Sequence, residues 1–191
     1  MIKIDGPWKE GYAFDIHTIR SDYTGEDQYG RPIFDTTRSE MGQYIYELKY
    51  EQDLSVLEKI KKLLVNCKDI KDFISKIDII IPVPPSNKGR QIQPVRVCSE
   101  KLAEIYKKKL ETALVSSTNE DELKSTPTEE KYDKIKSRIS ISDKIDKESK
   151  FLLFDDVYDS GNTLSAITNA LKEKGCKNIY VFTLTKTRKA D

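Results

Sequence analysis

The strongest constraint on the fold is the stretch at residues 151–163, where an apolar run changes abruptly into acidic and small residues. Residues 151–154 read F-L-L-F, and an apolar run without polar interruption predicts a strand buried on both faces, as in a parallel sheet. Asp155 and Asp156 follow at the expected end of that strand. Residues 159–163 read D-S-G-N-T, which predicts a tight turn with helix-capping side chains.

The residues after this turn predict a helix and then another strand. Leu164, Ile167 and Leu171 recur at helical spacing, Gly175 is a suitable C-terminal stop, and residues 179–184 restore an apolar run. A strand, loop, helix and strand in this order predict an α/β fold with a mostly parallel sheet flanked by helices. Such folds hold their ligands at the carboxyl edge of the sheet, where this turn lies.

The turn combines two kinds of chemistry. Small residues expose backbone N–H groups at a helix N-terminus, and Ser160 and Thr163 add hydroxyl donors, so this half favours an anion. The carboxylates of Asp155 and Asp156 suit hydroxyl donors or a divalent cation instead. A ligand with a phosphate at one end and a vicinal diol nearby, such as a ribose 5-phosphate, satisfies both halves.

Residues 151–163 resemble the 5-phosphoribosyl-1-pyrophosphate (PRPP) motif of type I phosphoribosyltransferases, and every position of that motif is filled. The resemblance implies that Asp155 and Asp156 contact the ribose hydroxyls and Mg²⁺, and that Asp159 faces the acceptor and manages its proton. It also implies a loop that wraps the 5-phosphate. That loop consists of Asp159, Ser160, Gly161, Asn162 and Thr163.

Other interpretations of this stretch were weighed. An Asp/Gly-rich turn that merely caps a helix is the simplest alternative. A P-loop is disfavoured because no G-K-[ST] is present, and G-x-G-x-x-G is absent too. A receiver domain takes its acidic pair from the first strand, whereas this pair lies near the end of the sequence.

A second apolar run, at residues 77–83, predicts another buried strand, and the proline-rich residues 84–90 follow it. The letters I-I-I-P-V-P resemble ComF-like proteins and the amidophosphoribosyltransferases, in which this loop holds the pyrophosphate. A proline-stiffened connection with a solvated basic tip is the alternative. The residues at which polar groups could meet phosphate oxygens are Pro85, Ser86, Asn87, Lys88 and Arg90.

The remaining residues predict a division into an N-terminal hood with helices at 1–70 and a phosphoribosyltransferase core at 71–191. Short antiparallel strands are expected in residues 1–36, a helix from Pro94 to Leu110, and a short strand at 113–115. The polar residues 116–137 predict a mobile lid, with Lys124, Lys131 and Arg138 as candidate cations. His17 is interpreted as a structural or surface residue.

Two departures from the ComF-like pattern leave the subfamily and the acceptor open. The N-terminus has no cysteine pair that could bind zinc, and residues 91–97 replace the usual R-G-F-N run. The three cysteines are far apart and predict neither a zinc site nor a disulfide framework. The segment Leu48-Lys49-Tyr50 resembles ComF-like proteins over a short length.

Charge and hydropathy limit the partners. Lys and Arg total 33 against 32 for Asp and Glu, so a net charge of +1 gives no support for direct nucleic-acid binding. No apolar run reaches transmembrane length and no signal-peptide core is present, so a cytoplasmic protein without membrane contact is expected. A homodimer through the aromatic hood, or a regulatory protein partner, is compatible with the sequence.

These patterns together predict an enzyme of nucleotide metabolism. It would use PRPP and Mg²⁺ to transfer a phosphoribosyl group to a nitrogen nucleophile, or would catalyse the reverse cleavage with pyrophosphate. Two alternatives stay open: a non-catalytic sensor of PRPP or nucleotides, and a ComF-like accessory protein of DNA-handling machinery.

Overall fold

The computed structural model describes residues 1–85, 89–118 and 128–188, without the side chains of residues 128–131. The strands are β1 (Ile2–Lys3), β2 (Glu10–Ile16), β3 (Thr18–Glu26), β4 (Pro32–Arg38), β5 (Ile79–Pro82), β6 (Lys109–Leu110), β7 (Val115–Ser117), β8 (Ile139–Ile141), β9 (Phe151–Tyr158) and β10 (Ile179–Lys186). The helices are α1 (Glu40–Tyr46), α2 (Val56–Asn66), α3 (Lys68–Ser75), α4 (Pro94–Tyr106), α5 (Thr128–Arg138) and α6 (Asn162–Glu173), and a π-helical turn spans Glu47–Glu51.

The centre of the molecule is a six-stranded sheet in the order β1-β2-β10-β9-β5-β6. Strands β2, β10, β9, β5 and β6 run parallel to their neighbours, and only β1 is antiparallel to its neighbour. One face of the sheet packs against α1 to α4, and the other packs against α6 and the small sheet of β7 and β8. The prediction of an α/β fold with a mostly parallel sheet flanked by helices is confirmed.

Strand β9 lies in the interior of this sheet, as its uninterrupted apolar run predicts. Phe151 and Leu153 pack into the core beneath α6, whereas Leu152 and Phe154 pack into the core beneath α1 to α4. All four side chains are fully buried. The strand continues beyond the predicted end, through Asp155 and Asp156, because its pairing with β10 extends to Tyr158.

The N-terminal residues join the central sheet. The sequence predicted antiparallel strands there, and β3 and β4 do form an antiparallel hairpin. Strand β2 is different, because it pairs parallel with β10 over Glu10–Ile16. Side chains of α1, α2 and α3 also share one core with β5 and β9, so residues on both sides of position 70 pack together. The division at that position stays a prediction.

The chain between β5 and β6 forms the second strand, helix and strand unit. Helix α4 ends earlier than predicted because Lys107 adopts a left-handed backbone, with φ 51°. The next two residues, Lys109–Leu110, pair with β5. The strand predicted at 113–115 is therefore wrong for the central sheet, and Val115–Ser117 instead pairs antiparallel with β8.

Part of the polar segment predicted as a lid is helical. Helix α5 packs beside α6: Ile135 is buried, and Asn169 Nδ2 donates to Tyr132 Oη at 2.6 Å. These few contacts explain why the polar sequence did not predict a helix. Residues 119–127, which include Lys124, lie outside the described residues, as does the side chain of Lys131. Within the described ranges, no helix is long and apolar enough to cross a membrane.

Candidate functional site

Two adjoining cavities open at the carboxyl ends of β5 and β9. The larger has a volume of about 240 Å³ and lies between the proline-rich segment after β5 and the end of β9. The smaller, of about 120 Å³, lies over the turn before α6. Asp155, Val157, Asp159 and Thr163 line both cavities. The structure thus brings the acidic pair and the small-residue turn to one place.

The turn before α6 requires glycine at position 161. Gly161 has φ +75°, a left-handed conformation that side chains disfavour. A Cβ at this position would also lie 2.7 Å from Tyr158 Oη. The hydroxyl of Tyr158 donates to the carbonyl of Asp5 at 3.4 Å, which connects the turn to the N-terminal segment.

The N-cap residue of α6 is Gly161, which has no side chain, so the capping contact in the turn comes from the preceding residue, Ser160, whose hydroxyl accepts from the Asn162 N–H. The first N–H groups of a helix have no partner within the helix, and Asn162, Thr163 and Leu164 line the smaller cavity, so this helix start offers donors to an anion. Asn162 Nδ2 is also buried without a hydrogen-bond partner among the described residues, and Asn162 lines the same cavity.

Asp159 and Ser160 are the exposed residues of this turn. The Thr187 hydroxyl donates to Asp159 Oδ1 at 2.9 Å, and the Ser160 hydroxyl accepts from Asn162 N at 3.4 Å. Ser160 lines the smaller cavity, whereas Asp159 lines both. The carboxylate of Asp159 is thus the acidic group of the turn that borders the space between the two cavities.

The two carboxylates of β9 lie in different surroundings. Asp155 is half-buried, and its Oδ1 accepts from the backbone N–H of Asp156 at 2.8 Å. Burial, followed by the neighbouring charge of Asp156, raises the pKa of the Asp155 carboxyl well above its ordinary value. Asp156 is only 7% exposed. Both residues line the larger cavity, and their side chains lie close enough to interact directly.

A lysine from the N-terminal half completes the larger cavity. Lys49 Nζ lies 2.8 Å from Asp156 Oδ2, and the two side chains are 18% and 10% exposed. The π-helical turn at Glu47–Glu51 carries this lysine, and Gln52 ends that turn with φ 56°. Sequence analysis assigned no role to Lys49. The only signal was the short resemblance at Leu48-Lys49-Tyr50, because ion-pair partners so far apart in sequence leave no local pattern.

The proline-rich segment forms the opposite wall of the larger cavity. Pro84, Pro85 and Arg90 line it, and the backbone N–H of Val83 donates to the Phe154 carbonyl at 2.8 Å. The Arg90 guanidinium lies 6.0 Å from the ring centroid of Tyr50. Three predicted phosphate ligands from this segment, Ser86, Asn87 and Lys88, lie outside the described residues.

His17 lies behind the site. Its Nδ1 is 3.0 Å from Thr185 Oγ1, and that hydroxyl donates to the backbone carbonyl of Asp156 at 3.3 Å. Burial lowers the pKa of His17, and the positive charges of Lys49 and Arg38 lower it further. A half-buried histidine that bonds to a core threonine fits the interpretation of His17 as a structural residue.

The acidic pair does not fit a resident divalent metal. Mg²⁺ requires ligand oxygens that converge in octahedral geometry. Here Lys49 already holds one of the two carboxylates, that of Asp156. No cluster of three or more His, Cys, Asp or Glu side chains suitable for a metal occurs in the described ranges.

The chain is thus an α/β protein with a bipartite cavity at the carboxyl edge of its parallel sheet. No protein-family profile matches its sequence. No curated protein matches it either.

Several solved structures have a similar fold, and those that follow are phosphoribosyltransferases. The xanthine-guanine-hypoxanthine phosphoribosyltransferase of Helicobacter pylori shares 18% identity, with 70% of this chain and 75% of that chain covered and a TM-score of 0.46. The purine phosphoribosyltransferase of Pyrococcus horikoshii shares 18% identity, with coverages of 72% and 87% and a TM-score of 0.45. The adenine phosphoribosyltransferase of Saccharomyces cerevisiae shares 12% identity, with 87% of this chain and 83% of that chain covered and a TM-score of 0.47.

Proposed function

We propose that this protein is a phosphoribosyltransferase whose donor is PRPP, bound as its Mg²⁺ complex. It transfers the phosphoribosyl group to a nitrogen nucleophile or, in reverse, cleaves it with pyrophosphate. One observation carries the proposal: Asp155 lines both adjoining cavities, and so do Asp159 and Thr163 of the turn that contains Gly161. A phosphate in the smaller cavity would place its ribose hydroxyls beside the acidic pair.

Each part of the donor has a matching part of the site. Residues 159–163 bind the 5-phosphate through N–H groups at the start of α6 and the hydroxyls of Ser160 and Thr163. Asp155 and Asp156 accept hydrogen bonds from the ribose hydroxyls. The pyrophosphate lies toward residues 84–90, where Arg90 supplies positive charge. Magnesium enters with the pyrophosphate, as part of the substrate.

The chain's own residues contribute to catalysis mainly by position and charge. Holding the ribose and the phosphate at fixed points orients the anomeric carbon toward the acceptor. Positive groups around the pyrophosphate stabilise the charge that develops as it leaves. Asp159 is the candidate to take the acceptor's proton, because its carboxylate borders both cavities.

Calorimetry with PRPP tests the binding part of this proposal. A hydrogen bond to a charged carboxylate contributes about 1.5–3 kcal/mol, so Asp155→Asn weakens PRPP binding by roughly 10- to 150-fold. Asp146→Asn, which changes an exposed aspartate outside both cavities, serves as the control. Unchanged PRPP affinity in a folded Asp155→Asn variant contradicts the assignment.

A second candidate is a sensor that binds PRPP without turning it over. The ion pair between Lys49 and Asp156 favours this candidate, because it engages one carboxylate of the acidic pair before any ligand arrives. An assay for pyrophosphate release across purine, pyrimidine and amine acceptors separates the two. Release with any acceptor identifies an enzyme, whereas tight PRPP binding without release identifies a sensor. The ComF-like branch, a cytoplasmic location and a dimer stay predictions.

A further inference from the structure

The ion pair between Lys49 and Asp156 differs from the other ion pairs of the described chain by its burial. Its two side chains are 18% and 10% exposed. Lys101 has a side chain as buried as that of Lys49, but its partners Glu58 and Glu104 are 63% and 60% exposed. Removing both charges of a pair from water costs free energy that their attraction often fails to recover. A purely structural contact at this place would be better made by apolar side chains.

The backbone that carries Lys49 is also unusual. It belongs to the π-helical turn at Glu47–Glu51, between α1 and a left-handed Gln52. Single π-helical turns interrupt the favourable α-helical pattern and occur frequently at functional sites. Here the turn has Leu48 in the core beneath α1 to α4 and Lys49 on the wall of the larger cavity.

We propose that the Lys49 ammonium takes the place of a divalent cation beside Asp156. Asp155, Asp156 and Lys49 then form a group with less negative charge than two bare carboxylates, and this group binds a vicinal diol that lies between phosphates. The inference rests on the proposed function for the identity of that ligand. Lys49 is a positioning residue, because it acts through the carboxylate of Asp156.

Electrostatics explain why such a neutralising lysine is useful. PRPP carries phosphate groups at both ends of its ribose, and two uncompensated carboxylates would repel it at close range. An ammonium fixed 2.8 Å from one carboxylate offsets part of that repulsion. The same ammonium restricts the orientation of the carboxylate through its contact with Oδ2.

A titration with Mn²⁺ alone tests this inference without PRPP. Binding is measured by electron paramagnetic resonance for the wild type, Lys49→Met, Asp156→Asn and the double variant, with Lys101→Met as the matched control. We expect Lys49→Met to bind Mn²⁺ at least 10-fold more tightly than the wild type, because the carboxylates lose their built-in cation. Adding Asp156→Asn abolishes that gain, and Lys101→Met behaves like the wild type.

Two results overturn the inference. One is wild-type Mn²⁺ binding that Asp156→Asn abolishes and Lys49→Met leaves unchanged, because the acidic pair would then be a resident metal site. The other is no gain of Mn²⁺ binding in a folded Lys49→Met protein. If Lys49→Met does not fold, Lys49→Gln replaces it, since glutamine removes the charge and keeps a polar group.

Calorimetry with PRPP in excess Mg²⁺ supplies the second readout. We expect Lys49→Met to weaken PRPP binding by at least 10-fold, Lys49→Arg to restore most of the affinity, and Lys101→Met to have no effect. Equal affinity in Lys49→Met and the wild type contradicts the positioning role. Failure of the wild type to bind PRPP counts against the proposed function instead, and the Mn²⁺ titration still decides the role of Lys49.

Discussion

Gly161 has both a positive φ and a crowded surrounding, and these two constraints can be separated experimentally. Gly161 and Gly30 have nearly the same backbone, with φ +75° and +72°. A Cβ on Gly161 would meet the Tyr158 ring at less than 3 Å, whereas a Cβ on Gly30 would meet only Glu26 Oε2, at 3.9 Å. Both alanine substitutions therefore carry a similar left-handed backbone cost of roughly 1–2 kcal/mol.

We expect Gly161→Ala to weaken PRPP binding by at least 10-fold, because the added methyl group displaces Tyr158 and the N–H groups of the turn. Gly30→Ala, the matched control, should bind PRPP as the wild type does. Calorimetry measures both affinities, and thermal unfolding reports the backbone cost. Equal affinity in the two variants would mean that the turn tolerates the methyl group and that its shape does not control binding.

Asp155 should make the folded protein less stable as the pH rises. Its pKa lies above the ordinary value of 3.8 because of burial and the charge of Asp156. At a pH between 3.8 and the pKa of the folded state, Asp155 is therefore protonated in the folded protein and ionised in the unfolded chain. Stability that depends on this proton is present below 3.8 and is lost as the pH rises through the folded pKa.

We therefore expect Asp155→Asn to raise the melting temperature at neutral pH and to leave it nearly unchanged below pH 3.8. Thermal unfolding at several pH values measures the difference. Asp146→Asn is a control of opposite sign, because a hydrogen bond from Ser149 lowers the pKa of that exposed carboxyl. A pH-independent difference between wild type and Asp155→Asn would contradict the raised pKa.

Sequence reasoning predicted the residues of this site where local order determines them. The positions of Gly161 and Asp155 follow from a strand that leads directly into a turn and a helix. The neutralising Lys49 could not be found in this way, since its contact with Asp156 depends on how the N-terminal helices pack. The interaction between the carboxylates of Asp155 and Asp156 follows from their adjacent positions on β9, which extends to Tyr158.

At the scale of elements, β9 contributes fully buried side chains to the core on both faces of the sheet. Phe154 is fully buried and packs against Phe182 on β10, with ring centroids 6.2 Å apart. We expect Phe154→Ala to lower the free energy of unfolding by about 3–5 kcal/mol, because it leaves a cavity inside the sheet core. Denaturant titration measures this loss.

Phe34 supplies a control of the same residue type on a different strand. It is 53% exposed on β4, beside Tyr23 of the hairpin. We expect Phe34→Ala to change the free energy of unfolding by no more than about 0.5 kcal/mol. A large loss for Phe34→Ala would show that another surface covers the hairpin in solution.

The elements that the sequence predicted well are those buried on both sides. The apolar runs of β5, β9 and β10 leave few alternatives to a central parallel sheet. Strand β2 reads E-G-Y-A-F-D-I with polar and aromatic residues, so its sequence did not reveal a parallel partner in β10. The sequence did not predict helix α5, because this helix buries little apolar surface. Its contacts with α6 are largely polar and include Tyr132 with Asn169 and Lys136 with Glu173.

At the scale of the whole molecule, the N-terminal strands complete the sheet. Strand β10 lies between β9 and β2, so removing β1 and β2 would leave the fully buried residues of β10 at an open edge. We expect deletion of residues 1–16 to abolish cooperative unfolding and to cause aggregation. Circular dichroism on heating and size-exclusion chromatography measure the two effects.

Shortening the hairpin of β3 and β4 is the control for the deletion of residues 1–16. That hairpin forms a separate two-stranded sheet, and Thr18 lies opposite Arg38 at its base. Replacing residues 21–36 with an Asn-Gly turn should preserve the cooperative transition. A folded deletion of residues 1–16, or an unfolded short-hairpin variant, would contradict this division of roles.

The parallel pairing of β2 with β10 also determines when the sheet can be completed during synthesis. Strand β2 leaves the ribosome long before its parallel neighbour β10, so it lacks that partner until β10 has been synthesised. Lys49 likewise meets Asp156 only after β9 has emerged. A nascent chain stalled before β10 should therefore bind no ligand.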